Sequence, residues 1–262
     1  MRFLKRLFKK DENGNKISVP IIYETYKPSP IKLNFTELRN ERQKINNNII
    51  FQSVKTKNLI DFYENVNKNE LKRVLDETNL TIEELLNECS KNDIMNKILS
   101  GRISKISSRQ GINDEYLQVK VCNDISIMYG INIKKLKTTE YRATKNGDII
   151  NLSEMKKRNI SKDNCLKSFD CKINGLINGW MFAKVVQGKG GHQDNVFEEA
   201  DILCKWVENF RMNDNVFYIF LIDTDLEYKI MNLKNKYQHI KNIIITDHYE
   251  FQKYIIDNFE LV

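Results

Sequence analysis

Residues 167–195 read KSFDCKINGLINGWMFAKVVQGKGGHQDN and place an acidic residue, a Gly/Asn turn and a lysine-bearing end in one short span. Asp170 lies in an apolar segment that predicts a strand, 165–173, and 179–187 predicts the next strand. Because side chains two residues apart in a strand share a face, Gln187 and Lys189 are predicted to face Asp170 together. Such a set can hold a metal ion and a lysine beside a phosphate.

Composition narrows the class of protein. Of the 262 residues, 41% are hydrophobic and 10% aromatic, which is typical of a globular chain. Lys and Arg number 42 against 35 Asp and Glu, which gives a net charge of +7. This charge suits the binding of a polyanion such as DNA, although AT-rich coding alone gives the same excess of lysine. The five cysteines show no CxxC spacing, so a reducing cytoplasm is expected. No apolar run approaches the roughly 18 residues that span a bilayer, so no membrane association is expected.

The first hundred residues predict helices. Asn13-Gly14 indicates a hairpin turn, and the prolines of 27–30 indicate an extended connector. Apolar residues then recur at helical spacing, and Thr81 with Glu84 forms a capping box that begins a helix. A mainly helical N-terminal region is therefore predicted.

From residue 107 onward, helix and strand patterns alternate. A helix with apolar positions up to Met128 ends at Gly130, and Asn146-Gly147 predicts a hairpin. Asn195, with Glu198 three residues later, predicts the start of another helix. The apolar run 216–222 predicts a central strand, 243–246 a second strand parallel to it through a helical crossover, and Asp247 the start of a last helix.

This order of elements, with SRQG..DE at Ser108–Glu115, LKSFD at Leu166–Asp170 and QGKGGHQDNVFEEA at Gln187–Ala200, resembles the PD-(D/E)XK nuclease superfamily, and in particular type II restriction endonucleases. The resemblance implies an α/β restriction-endonuclease-like core over 101–262, a mixed sheet flanked by helices. Residues 1–100 would then serve DNA binding or dimerisation. It also implies sequence-specific, Mg²⁺-dependent cleavage of double-stranded DNA by a cytoplasmic homodimer, with a cognate DNA methyltransferase completing a restriction-modification system.

The resemblance makes Asp170 the metal-binding aspartate, but the second acid of the family motif is missing. No Asp or Glu stands between Asp170 and Asp194. In one interpretation, Gln187-x-Lys189 replaces the motif, and the amide oxygen of Gln187 binds the metal.

In the other interpretation, Phe182-x-Lys184 is the motif, and Lys184 is the catalytic lysine without a second ligand on its strand. Glu115 on the preceding helix, or Glu198 on the following one, can supply the missing carboxylate in either case. The missing acid also favours an alternative function, a DNA-binding protein on a nuclease scaffold that has lost catalysis.

Candidate DNA contacts are residues whose donors and acceptors suit base edges or phosphates. These are Arg109, Gln110, Arg142, Lys145, His192, Gln193 and Asn195. For Asn195, a helix-capping role explains the residue equally well.

Overall fold

The structure is a computed structural model that describes residues 6–10, 16–20, 27–106, 110–137, 140–187, 191–212 and 214–262. Side chains are described from residue 27 onward, except at 191–194. Strands β1 (Arg6–Lys10) and β2 (Lys16–Pro20) pair antiparallel. The turn predicted at Asn13-Gly14 lies outside the described residues.

Five helices form the N-terminal region: α1 (Phe35–Thr56), α2 (Leu59–Asn65), α3 (Lys68–Thr78), α4 (Ile82–Lys91) and α5 (Asp93–Arg102). Each begins after an Asn or Thr whose side chain accepts a hydrogen bond from a first-turn N–H, which satisfies a free donor of the helix start. The capping box of Thr81 and Glu84 is confirmed. The helices bury a cluster of their own that includes Ile50, Phe62 and Ile103. The predicted helical N-terminal region is therefore confirmed.

The rest of the chain builds two sheets and their covering helices. The elements are α6 (Gln110–Ser126), β3 (Ile131–Lys135), β4 (Tyr141–Thr144), β5 (Ile149–Asn151), α7 (Leu152–Lys157), β6 (Cys165–Ser168), β7 (Cys171–Gly175), β8 (Gly179–Val186), α8 (Gly191–Phe210), β9 (Phe217–Thr224), α9 (Glu227–Tyr237), β10 (Ile243–Thr246) and α10 (His248–Asn258). One sheet has five strands in the order β10-β9-β8-β7-β3, and the other has three in the order β5-β4-β6.

The five-stranded sheet is mixed. Strands β8, β9 and β10 are parallel, while β7 is antiparallel to both of its neighbours. Strand β9 is buried along six consecutive residues, as its apolar sequence predicts, and α9 makes the crossover to β10. Helices α8 and α9 cover the face that carries Phe182 and Phe220, and α6 and α10 cover the face that carries Met181 and Leu221. The predicted α/β fold with a mixed sheet flanked by helices is confirmed.

The segment 165–173, predicted as one strand, is instead two strands in different sheets. The N–H of Phe169 donates to the Tyr141 carbonyl in the small sheet, and the N–H of Asp170 donates to the Met181 carbonyl in the large sheet. Phe169 is buried, and the chain changes sheets at this residue. A continuous apolar pattern does not reveal such a change, because both halves keep strand periodicity. The break leaves Asp170 at the junction of the two sheets.

Two predicted boundaries are also wrong. Strand β8 ends at Val186, one residue before Gln187, and α8 begins at Gly191, four residues before Asn195. A cap contributes about 1 kcal/mol, which does not stop a helix when the preceding residues also adopt helical backbone. Among the described residues, no helix has both the length and the apolar composition needed to cross a membrane.

Candidate active site

Asp170, Lys184 and Glu115 meet at the start of β7. The ammonium nitrogen of Lys184 lies 3.0 Å from each carboxylate oxygen of Asp170 and 3.3 Å from Oε1 of Glu115. Their side chains are 16–25% exposed, so the cluster is mostly buried yet still reached by solvent. The structure thus brings together three residues that the sequence had named for the same site.

The register of the β7–β8 hairpin places Asp170 beside Lys184. Cys171 pairs with Met181, and the N–H of Asp170, one residue earlier, donates to the Met181 carbonyl. Asp170 therefore lies at the end of β7 that adjoins the second half of β8, which carries Lys184.

The backbone around Asp170 fixes its carboxylate. Its N–H donates to the Met181 carbonyl at 2.8 Å, and its C=O accepts from the N–H of Leu136 at 2.9 Å. The N–H of Ala183 also donates to Oδ2 of Asp170 at 2.9 Å. With its main chain held on both sides and one oxygen bound to the neighbouring strand, the carboxylate is preorganised.

Burial and charge set the ionisation of the cluster. Burial raises the pKa of Glu115 above its ordinary value of 4.5, against the opposing charge of Lys184. The charge of Asp170 raises this pKa further, and that of Lys135 lowers it. Burial by itself lowers the pKa of Lys184, but the charges and hydrogen bonds of the two carboxylates outweigh burial and raise it above 10.5. Lys184 is therefore charged at neutral pH, and ionisation of both acids leaves the cluster with one excess negative charge.

Helix α1 anchors the part of α6 that carries Glu115. Asp114, the neighbouring residue, is fully buried and forms ion pairs with Arg39 and Arg42. The side chain of Gln110 accepts from Arg42 at 2.7 Å and donates to the carbonyl of Arg39 at 3.1 Å. Gln110, a predicted DNA contact, is therefore used to join α6 to α1.

Phe182 stands two residues before Lys184, the position at which the second interpretation of the sequence lacks an acid. Its side chain is fully buried and packs against Phe220, with ring centroids 6.2 Å apart. The ammonium nitrogen of Lys184 lies 5.2 Å from the centre of the Phe182 ring. The second carboxylate of the cluster thus comes from Glu115 on α6. Glu198 instead lines a groove between α8 and α9.

Gln187 is directed to a different part of the molecule. Its Oε1 accepts from the hydroxyl of Thr36 on α1 at 2.7 Å, and the residue lines a cavity of about 680 Å³ shared with Asp223 and His248. Among the described lysines, Lys184 contacts Asp170, as in the interpretation that takes Lys184 as the catalytic lysine. Lys189 lies outside the described residues.

The remaining predicted DNA contacts fall into three groups. Arg142 on β4 donates from Nη1 to the carbonyl of Leu166, which ties it to its own sheet. Lys145 and Asn195 are exposed. Arg109, and the side chains of His192 and Gln193, lie outside what the structure describes.

A second polar cluster, Asp223, Asp247 and His248, lies at the carboxyl ends of β9 and β10, with ligand-type atoms within 4.8 Å of one another. These groups already have partners. Nε2 of His248 accepts from the N–H of Leu33 at 2.8 Å, so the ring proton sits on Nδ1 and is donated to Asp223 at 2.5 Å. Asp247 accepts from the N–H of Glu250 at 2.8 Å. A cation would compete with these bonds, which join the connector before α1 to the sheet.

Sequence reasoning did not name Asp223, Gln118 or Asp114. The amide nitrogen of Gln118, which is fully buried, donates to Oδ2 of Asp223 at 2.7 Å and to the carbonyls of Lys184 and Leu221. A usable signal existed for Asp223, since it follows the apolar run of a predicted parallel strand directly, where α/β proteins place their functional residues. Gln118 and Asp114 could have been found as polar residues on the buried face of a predicted helix, where a polar side chain needs a partner.

Comparisons with protein-family models, curated proteins and solved structures found no match for this chain. The chemistry of the site therefore rests on its own residues. Two carboxylates from different elements converge on one ammonium group, with partial access to solvent. This arrangement can bind a hard cation through oxygen atoms and keep a positive charge next to it.

Proposed function

We propose that this protein is a Mg²⁺-dependent, sequence-specific endonuclease of double-stranded DNA with a restriction-endonuclease-like core. The observation that carries the proposal is the meeting of Asp170, Lys184 and Glu115 at the junction of two sheets. The mixed sheet supports it, because an antiparallel hairpin followed by a parallel crossover matches the element order of the PD-(D/E)XK superfamily.

The donor set fits Mg²⁺. This ion takes oxygen ligands in octahedral geometry and is commonly held by one or two carboxylates, with waters and substrate phosphate completing the shell. Asp170 and Glu115 would hold it here. The ion would polarise the scissile phosphate and lower the pKa of a bound water.

The residues around the ion have separate tasks. Asp170 is held in a fixed position, because the N–H of Ala183 and the ammonium of Lys184 both bind its carboxylate. Lys184 keeps a positive charge where negative charge builds up on the phosphate during hydrolysis. Glu115 offers a carboxylate whose pKa is raised by burial, so it accepts a proton more readily than an exposed glutamate does.

Incubation of the full chain with mixed-sequence plasmid DNA, with Mg²⁺ or with EDTA, tests the proposal. We expect discrete fragments with Mg²⁺ only. Asp170→Ala should abolish cleavage while leaving folding and DNA affinity largely intact. Asp163→Ala makes the same change at an exposed acid outside the cluster, and this variant should cut normally. Retained cutting by Asp170→Ala would refute the site, and smeared products would indicate a nuclease without sequence specificity.

Phe182 favours one alternative function, a DNA-binding protein on a catalytically decayed nuclease scaffold. A buried aromatic ring at the position of the second acid offers no ligand, and Lys184 already neutralises one carboxylate. In the plasmid experiment, DNA that is retarded but intact in the presence of Mg²⁺ supports this alternative.

A homodimer and a cognate DNA methyltransferase belong to the proposal. A subunit with one site cuts one strand, and two-fold symmetry matches a palindromic target. Light scattering with and without a cognate duplex would measure the oligomeric state, and protection of the cleaved site by methylation would support the methyltransferase.

A further inference from the structure

The positive charge of the chain is concentrated in two segments, residues 1–10 and residues 131–175. Residues 1–10 carry +5, and residues 131–175 contain eleven Lys and Arg against five Asp and Glu, a net charge of +6. Residues 11–130 are balanced at 17 of each sign, and residues 176–262 carry −4. A lysine bias from AT-rich coding would raise the charge along the whole chain, so it does not account for this distribution.

The three-stranded sheet, α7 and β3 lie within residues 131–175. This segment carries seven exposed lysines, here called the basic surface: Lys134, Lys135, Lys137, Lys145, Lys156, Lys157 and Lys162. Within the described residues, none of these seven forms an ion pair. The arginine and lysine of the same segment that are paired, Arg158 with Asp148 and Lys167 with Glu199, are not counted in it.

Hydrogen bonds hold the outer part of the basic surface together. The N–H of Lys145, in the β4–β5 turn, donates to the carbonyl of Asn164, two residues after Lys162. Helix α7 follows β5 directly and carries Lys156 and Lys157 in its last turn. These four lysines thus belong to adjoining turns at one end of the small sheet.

The inner part of the basic surface reaches the candidate active site. Lys135 pairs with Cys171, the residue after Asp170, and its charge lowers the pKa of Glu115. The N–H of Leu136 donates to the carbonyl of Asp170. Lys135, at the inner end of the basic surface, thus lies next to the candidate active site.

We propose that the basic surface binds the phosphate backbone of duplex DNA and delivers it to Asp170 and Lys184. The proposal rests on the proposed nuclease function for the identity of the polyanion. Exposed lysines without an ion pair suit phosphate contacts, which position a protein without reading sequence. A membrane surface is a poorer partner, because among the described large hydrophobic residues of 131–175 only Leu152 is exposed, and interfacial binding needs an apolar face.

The test is the salt dependence of DNA binding by the full chain. A triple variant, Lys156→Gln with Lys157→Gln and Lys162→Gln, removes outer lysines that lie away from Glu115. The matched control is Lys68→Gln with Lys72→Gln and Lys97→Gln, which removes the same charge from exposed positions of the helical region. Anisotropy of a labelled mixed-sequence duplex in EDTA, from about 50 to 200 mM NaCl, gives the affinity and its salt slope.

We expect the test variant to lose at least tenfold in affinity and to lower the slope of log K against log[salt] by about 2 to 3, since each phosphate contact contributes about 0.9. The control should change the slope by less than about 0.5. Equal behaviour of the two variants would overturn the proposal, as would tighter binding of the wild type to RNA hairpins or anionic vesicles than to duplex DNA. If the protein cleaves plasmid DNA but the lysine substitutions do not change DNA binding, the nuclease function is supported and the basic surface is refuted. If the substitutions weaken DNA binding but no cleavage occurs, the basic surface is supported and the nuclease function is refuted.

Discussion

Replacing Lys184 by methionine removes the only described cation that contacts both carboxylates of the candidate active site while keeping most of the side-chain volume. Three nitrogen–oxygen contacts of 3.0, 3.0 and 3.3 Å are lost. The pKa of Lys184 stands above 10.5, so its ion pairs stabilise the folded protein fully below that pH and are lost only as the pH rises through the raised value. At pH 8 the difference in stability between the wild type and Lys184→Met therefore measures the whole contribution of these ion pairs.

The loss in stability follows from the exposure of the groups. Breaking a fully buried pair costs about 3–5 kcal/mol, and a hydrogen bond to a charged group contributes about 1.5–3 kcal/mol. Solvent reaches these side chains and Glu115 can take up a proton, so we expect a loss of about 2–3 kcal/mol. For a chain of this size that lowers Tm by roughly 5–10 °C. Lys167→Met, which breaks an exposed pair with Glu199, should cost at most about 1 kcal/mol.

A divalent cation should reverse much of the loss in the Lys184→Met variant. Without the ammonium, Asp170 and Glu115 face each other with two negative charges, which raises their affinity for a cation. Calorimetric titration with Ca²⁺ should give at least tenfold tighter binding than in the wild type, about 1.4 kcal/mol, and saturating Ca²⁺ should restore most of the lost Tm. An unchanged Tm would show that Lys184 does not hold the cluster together. A lowered Tm that Ca²⁺ does not raise would show that the two carboxylates do not form a metal site.

Three further predictions concern the surroundings of the site. Because the pKa of Glu115 is raised above 4.5, Ca²⁺ affinity should begin to fall above that pH as the carboxyl takes up a proton, and the same proton uptake stabilises the metal-free fold. Titrations from pH 8 to 4.5 should show both effects in the wild type and neither in Glu115→Gln. Asp114→Asn should lower the free energy of unfolding by about 3–5 kcal/mol, because it leaves two arginines of α1 without their buried partner, and urea unfolding that matches the wild type would contradict this. Gly175→Ala should lower the free energy of unfolding by about 2–5 kcal/mol, because the φ of Gly175 is +118° and a Cβ would lie 2.1 Å from the Gly130 carbonyl oxygen. In the control Gly111→Ala the added Cβ meets open space, so thermal melting should show unchanged or slightly higher stability.

Elements with strong local patterns could be predicted from the sequence. The apolar run 216–222 has no polar interruption, so only a strand buried on both faces suits it, and β9 lies between two parallel neighbours. Two helix starts were predicted from side chains that bond to first-turn N–H groups, those of Thr81 with Glu84 and Asp247 with Glu250. The β4–β5 turn was predicted from Gly147, whose positive φ favours glycine. In these cases the local chemistry and the fold agree.

Features that depend on packing between distant segments could not be predicted. The change of sheet at Phe169 leaves strand periodicity intact on both sides, so 165–173 reads as one strand. The ion pairs of Asp114 join residues more than 70 positions apart, and no spacing rule connects α1 to α6. The position of Gln187 depends in the same way on Thr36 of α1.

The candidate site combines both situations. Asp170 and Lys184 lie close together because Cys171 pairs with Met181, but the two-residue strand period also allowed Gln187 and Lys189 at this place, so spacing alone did not identify Lys184. Glu115 reaches Lys184 from a helix whose placement over β8 depends on the buried amide of Gln118 and on the arginines bound to Asp114. Because Glu115 comes from a helix, the two-residue period of the strands could not predict its position. Since the helix supplies this carboxylate, strand position 182 can carry a buried phenylalanine instead of an acid. Loosening the contact between α1 and α6 should therefore weaken the site through Glu115 and leave the Asp170–Lys184 pair in place.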